Sequence, residues 1–234
     1  MRLDKYLSAY AGVTRKEARR LVREGHVLVD GKQERSETVK VAREQQVTLD
    51  GEAVQGEESV YYMMNKPPGV ISATRDERAR TVLDLMPEVR RHIFPIGRLD
   101  KDTEGLLLLS DDGALAHRLL SPAYHVEKTY EVRYEGDLCE TVAEEFRQGI
   151  DIGERRKTKP AQLELLGPGR ARLTISEGKF HQVKRMFAAA GGHVTGLRRV
   201  AMAGLLLDEN LKPGEYRRLS EEEIEQLRQA CRGR

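Results

Sequence analysis

The stretch PIGRLDKDTEGLLLLSDDG, residues 95–113, is where the reading of this chain turns. Pro95 and Gly97 open it, Gly105 follows, and the four leucines from Leu106 to Leu109 read as a buried strand. Arg98, Asp100, Asp102 and Thr103 then fall on a loop held against a rigid strand, a common placement for reactive groups. Three carboxylates crowd this loop (Asp100, Asp102, Glu104), and a loop of acids equally suits solvent, so the spacing alone leaves the role of Asp100 open. The tetrapeptide RLDK also occurs at residues 2–5. There Leu3, Tyr6, Leu7 and Tyr10 recur at helical spacing, and Asp4 is expected to face water as a structural residue.

Outward from the leucine run, strand-like segments fall at 60–64, 129–134, 163–166 and 171–176. Helical patterns lie at 81–86, 113–120, 138–148 and 180–190. A last helix is announced by the Ser220–Glu223 capping box, with Ile224 and Leu227 facing inward. Strands and helices mix without a βαβ rhythm, which predicts an α+β domain over 59–234 with a mixed, mainly antiparallel sheet.

Upstream, Thr14 and Glu17 open a second helix that Gly25 ends. Ala18, Leu21 and Val22 share one face of it, and Arg15, Lys16, Arg19, Arg20 and Arg23 crowd the rest. Val27–Val29 reads as a strand, Asp30-Gly31 as a hairpin turn, and a second strand is expected near Val39–Leu49. The expected organisation is a small N-terminal unit over 1–50, a linker over 51–58, and the larger domain.

With 234 residues, 39% hydrophobic, the chain can bury a core. No stretch approaches the roughly 18 apolar residues a membrane span needs. Charges within the first five residues, without an apolar signal segment, predict a protein that is not exported. Cys139 and Cys231 lie far apart and the six histidines show no HExxH spacing, so a cytoplasmic protein with metal-free chemistry is expected. Net charge is only +2, but the first 43 residues are rich in Arg and Lys while acids gather near 220–225. Five cations on one helix can hold a phosphate backbone, though a charge run taken alone is more often a solvated face.

Two resemblances narrow this. RLDKYL followed by TRKEARRLVREGHVLVDG, within residues 2–31, resembles the S4 RNA-binding domain, with Thr14 where that family more often has Ser. This implies a structured RNA partner. Residues 95–113 resemble the signature loop of pseudouridine synthases, GRLDxxTxGLLLLTxDG, with Ser110 where that family often has Thr. NKPPG at 65–69, EKTY at 127–130 and EGKFHQVKRM at 177–186 resemble further segments of the same family, in the same order.

The family's catalytic aspartate falls on Asp100. The resemblance further implies that Lys184, where the family often has Arg, pairs with Asp100 and keeps it ionised, that Tyr130 stacks on uracil, and that Val183 lies under the base. Arg98 would fill the space left by an extruded nucleotide, and Thr103, Gln182, Arg185 and Lys66 would join it in contacting RNA. Each has a bland reading: Tyr130 as core, Lys184 and Arg185 as solvated charges, His181 as structural. The implied partner is ribosomal RNA of the small subunit, free or in an assembling particle, with no cofactor and a monomeric enzyme. A sister activity on large-subunit RNA, a non-catalytic S4-type ribosome-assembly factor, and hydrolysis by paired carboxylates such as Asp100 and Asp102 are the competing readings.

Overall fold

A computed structural model describes residues 1–42, 45–54, 59–89, 92–139 and 141–232, which form two compact units, Met1–Ser59 and Val60–Arg234.

In the first unit, helices α1 (Leu3–Tyr10) and α2 (Arg15–Glu24) pack on a four-stranded antiparallel sheet. Thr14 Oγ1 accepts from Glu17 N at 3.2 Å, satisfying one donor of the first turn, and Gly25 ends α2 in the left-handed conformation. The sheet joins β1 (Val27–Val29), β2 (Lys32–Gln33), β3 (Val47–Leu49) and β4 (Glu52–Val54) in the order β2-β1-β3-β4. Asp30-Gly31 turns β1 into β2, both residues at positive φ as a two-residue hairpin demands. Leu3, Leu7, Ala18, Val22, Val27 and Val47 make the core.

Three expectations for this unit are corrected. Of the strand predicted near Val39–Leu49, only Val47–Leu49 forms among the described residues, residues 43–44 lying outside them; Val39 and Val41 instead bond the chain start, Leu3 N donating to Val39 O and Val41 N to Met1 O. The linker predicted over 51–58 starts too early, because Glu52–Val54 is a paired strand and Tyr6 OH donates to Val54 O at 2.9 Å. Residues 55–58 of that prediction lie outside the described residues. Asp4 does not face water. It is fully buried, and Arg15, Arg19 and Arg2 donate to its carboxylate at 2.9, 3.0 and 3.1 Å. The packing of α2 on α1 brings the Arg15 and Arg19 guanidinium groups over it, and Arg2 reaches it from the start of α1.

In the second unit β5 (Tyr61–Lys66), β6 (Phe94–Pro95) and β7 (Glu104–Ser110) precede helix α3 (Gly113–Leu120). Then come β8 (Lys128–Glu135), α4 (Val142–Gln148), β9 (Gln162–Gly167), β10 (Arg170–Ile175) and α5 (Gln182–Ala189). The chain ends with β11 (His193–Met202), β12 (Leu205–Leu206), β13 (Tyr216–Arg218) and α6 (Glu221–Gln229). The sheet runs β13-β5-β7-β11-β8-β10-β9, with β12 on β11 and β6 on β7. Among the strands of the described residues, only β7 and β11 pair in parallel. The α+β prediction holds.

The leucine run is a strand buried on both faces. Leu107 and Leu109 enter one core with Tyr130, Val132, Phe146 and Phe187; Leu106 and Leu108 enter another with Leu115, Leu119 and Leu227. The helix predicted over 81–86 is one 3₁₀ turn, Leu83–Leu85; the one predicted over 138–148 starts at Val142, residue 140 lying outside the described residues, and the one over 180–190 narrows to Gln182–Ala189. The Ser220–Glu223 capping box forms in both directions.

The Asp4 cluster yields a stability prediction. Burial raises the Asp4 pKa, but the hydrogen bonds from Arg19, Arg15 and Arg2 outweigh it and hold the carboxyl at about 2. A lowered folded-state value means stabilisation that is complete above the ordinary carboxyl value of 3.8 and lost as pH falls through about 2. Asp4→Asn should destabilise the N-terminal unit by about 3 kcal/mol at pH 7, the low end for breaking a buried ion pair because the arginines are half exposed. Urea unfolding of both proteins at pH 7 and pH 2 checks it, and the difference should shrink at the acid end.

Candidate active site

Asp100 stands on the loop that joins β6 to β7, and the segment just after β5 braces that loop. Lys66, at the end of β5, is fully buried. Its ammonium donates to Thr103 O at 2.8 Å, Pro67 O at 3.0 Å and Lys101 O at 3.4 Å, using all three of its protons on backbone carbonyls. Gly69 N donates to Lys101 O at 2.7 Å. Ser72 Oγ accepts from Leu99 N at 3.0 Å and donates to Leu99 O at 3.1 Å, clamping the residue before Asp100 from both sides. Thr103 N donates to Asp100 O at 3.1 Å and closes the turn. NKPPG is thus the cradle of the acidic loop, and Lys66 lies inside the protein rather than on an RNA-facing surface.

Past the loop, Gly105 has φ of 98°, and a Cβ there would sit 2.2 Å from Arg199 O. Only glycine lets β7 and β11 approach at this point. The buried Arg199 donates from Nε to Leu106 O at 2.8 Å, occupying a β7 carbonyl beside the two-residue parallel ladder.

One cleft gathers Arg98, Asp100, Thr103, Tyr130, His181 and Val183, with Ile175 and Leu197 as further apolar wall. Tyr130 sits mid-sheet on β8, opposite Leu173 and Arg199. Val183 belongs to the first turn of α5. Arg98 is exposed and Asp100 part-exposed, its side chain 28% accessible. Thr103 Oγ1 is buried and has no hydrogen-bond partner among the described residues.

Lys184, also on α5, stands over the loop and touches both acids. Its Nζ donates to Asp102 at 2.6 and 2.8 Å and lies 3.5 Å from Asp100 Oδ2. Lys184 thus reaches Asp100 as expected, and Asp102, 71% accessible, takes the shorter bonds. The Lys184 ammonium holds the Asp102 carboxyl below its ordinary value. His181 Nε2 approaches Asp100 Oδ1 at 3.6 Å, a neighbour that the sequence reading left as structural.

Gln182 and Arg185 fasten the segment before α5. Gln182 donates to Glu177 at 3.1 Å and accepts from Lys179 N at 2.8 Å. Arg185 donates to Glu154 at 2.7 Å, to Phe180 O at 3.2 Å and to Ile152 O. Both side chains are committed to protein partners.

The cleft sets the Asp100 carboxylate beside the aromatic ring of Tyr130 and the apolar Val183. Residues 60–189 match the family model of RNA pseudouridylate synthases, and residues 1–47 match the S4 domain. The chain belongs to the RNA pseudouridylate synthase family. It is 46% identical to ribosomal small subunit pseudouridine synthase A of Escherichia coli (strain K12), across 96% of this chain and 98% of that one. It is 48% identical to the RNA pseudouridine synthase YtzG of Bacillus subtilis (strain 168), across 97% and 98%. A crystal structure of a pseudouridylate synthase superposes with a TM-score of 0.69 at 39% identity, covering 97% of this chain and 99% of that one.

In the synthase's S4 domain, the five predicted cations of α2 stay at the surface, but four are paired. Arg15 and Arg19 bond Asp4, Arg20 bonds Glu24 at 3.0 Å and Arg23 bonds Glu37 at 2.6 Å. Lys16, Arg19, Arg20 and Arg23 line one hollow with Thr14. Each arginine keeps donors to spare for a phosphate, since one guanidinium carries five.

The Lys66 brace can be tested in the synthase. Burial lowers its pKa from 10.5 to about 8, against the upward pull of Asp102, Asp100 and Glu104. The unfolded chain binds this proton more tightly, so the group costs stability below pH 8 and the cost is relieved as pH rises toward 10.5. Urea unfolding at pH 7 and pH 9.5 should therefore show wild type gaining on Lys66→Met at the higher pH. Loosening the loop should also cut kcat about a hundredfold, the scale of an ångström of misplacement.

Proposed function

We propose that this synthase isomerises one uridine of small-subunit ribosomal RNA to pseudouridine, with Asp100 as the nucleophile on an extruded nucleotide. The observation that carries this reading is that Asp100 is the one carboxylate among the described residues lining the cleft that also holds Tyr130 and Val183. The 46% identity to a relative named for small-subunit ribosomal RNA supports the choice of target. Hydrolysis by two carboxylates fits the geometry poorly, because Asp102 is mostly exposed and bonded to Lys184.

The reaction breaks the N1–C1′ bond, turns the released uracil and joins C1′ to C5. C5 loses its proton and N1 gains one, so nothing else enters or leaves. Asp100 supplies the reacting carboxylate. Tyr130 and Val183 keep the free base stacked between bond breaking and bond making, and the Tyr130 hydroxyl is the group suited to handle the C5 proton. Lys184 places an ammonium 3.5 Å from the Asp100 carboxylate. The unpartnered Thr103 hydroxyl is a ready hydrogen-bond donor for the nucleotide. Extruding a uridine from its stack costs about a few kcal/mol, and the exposed Arg98 at the cleft mouth is suited to fill the vacated space. The S4 domain's basic helix supplies sequence-independent attraction to phosphate. Two free cysteines fit a reducing cytoplasm as the place of action.

Mapping pseudouridine in ribosomal RNA from cells with and without the gene tests the assignment. Loss at one small-subunit position is expected; loss confined to the large subunit would transfer the activity there. On purified protein, Asp100→Asn should fold and bind RNA with no detectable product, and substantial product would remove the central role. Arg98→Ala should lower kcat/KM about tenfold, within the energy of one unstacked nucleotide; an unchanged value would end its assigned role.

A further inference from the structure

Phe180 is the one exposed phenylalanine or tyrosine among the described residues, with 75% of its surface accessible. It is not loose. Its ring lies flat on the His181 imidazole, centroids 3.8 Å apart and planes 18° from parallel. Its carbonyl accepts from Arg185 at 3.2 Å, and the preceding residue is tied down twice, Lys179 N donating to Gln182 and Lys179 Nζ to Arg156 O at 3.0 Å. His181 takes a left-handed backbone at φ of 50°, unusual for a residue other than glycine, and thereby sets its own ring between Phe180 and the cleft. The two rings form a stack whose inner member is 3.6 Å from Asp100 and whose outer face meets solvent.

The Phe180 ring packs on one face only, against His181, and holds the other face rigidly in water, where apolar surface is unfavourable. A planar partner that covers the free face takes that surface out of water. Unpaired nucleotides are recognised in this way, by stacking on aromatic side chains, and the interaction tolerates any base because every base has a flat face. We propose that Phe180 is the stacking platform for an unpaired base adjoining the target uridine in single-stranded RNA. Resting on the proposed uridine-isomerising function of the cleft, the inference adds a second base position, fixed relative to Asp100 through His181. It makes Phe180 a source of affinity rather than a catalytic residue.

The test uses the full chain, a small-subunit ribosomal RNA transcript, and three variants. Phe180→Ala removes the ring, Phe180→Leu keeps apolar cover over His181 without a π face, and Phe180→Tyr keeps the face. Stacking predicts that Ala and Leu each raise KM about tenfold with kcat within about twofold, and that Tyr behaves as wild type. Equilibrium binding of the same transcript should follow the same order. An unchanged KM in Phe180→Ala, full rescue by Leu, or a fall in kcat alone would overturn the proposal. If wild type makes no pseudouridine in this transcript, the functional reading fails by itself, and the binding series still decides whether Phe180 stacks on RNA.

Discussion

The site depends on a buried ammonium. Lys66 donates to three backbone carbonyls, two of them on the loop that carries Asp100, and no other side chain type offers three protons from so compact a point. A loop carbonyl left without a partner against a buried strand loses about 1–3 kcal/mol, and Lys101 O, which also accepts from Gly69 N, depends least on the ammonium. Ser72 adds a two-way clamp on Leu99, and Gly105 allows the backbone contact with β11 that fixes the far end. Between these anchors Asp100 has little freedom, although its side chain is part-exposed. The loop is held through its backbone, which leaves the carboxylates for chemistry and for Lys184.

Charge around Asp100 is arranged so that no single partner captures it. Lys184 spends its short bonds on Asp102 and stays 3.5 Å away, and His181 stands off at 3.6 Å. A bidentate clamp would satisfy the carboxylate lone pairs and tie them up. The arrangement keeps positive charge near while leaving oxygen atoms open toward the cleft. In the S4 domain, by contrast, Asp4 is captured outright, by three arginines at once.

Local patterns were legible where short-range physics decides. The leucine run, the Thr14 and Ser220 caps and the Asp30-Gly31 turn all appear where the residues say they should. Asp100, Tyr130, Val183, Thr103 and Arg98 do meet in one cleft, and motif resemblance rather than periodicity singled them out. What stayed hidden is non-local. β11 carries Arg198 and Arg199 in its middle and shows no clean alternation, yet it is central, because Arg199 is buried against a carbonyl of β7. Lys66 and Asp4 read as surface charges, since nothing near them in sequence reveals the carbonyls and guanidinium groups that enclose them. The pattern at 81–86 yields only a single turn, with Asp84 accepting from both the amide and hydroxyl of Thr81 and Pro87 close behind. His181 and Asp102 were present in the quoted motifs, but only spatial proximity marks them as neighbours of Asp100 and Lys184.

A structure of the protein bound to a uridine-containing small-subunit ribosomal RNA fragment would measure the decisive distance. The account predicts an unstacked uridine against Tyr130 and Val183, with an Asp100 oxygen about 3–3.5 Å from its C1′, the separation of a near-attack geometry. A uridine seated elsewhere, or an Asp100 carboxylate directed away from the ribose while the Lys66 brace is intact, would contradict it.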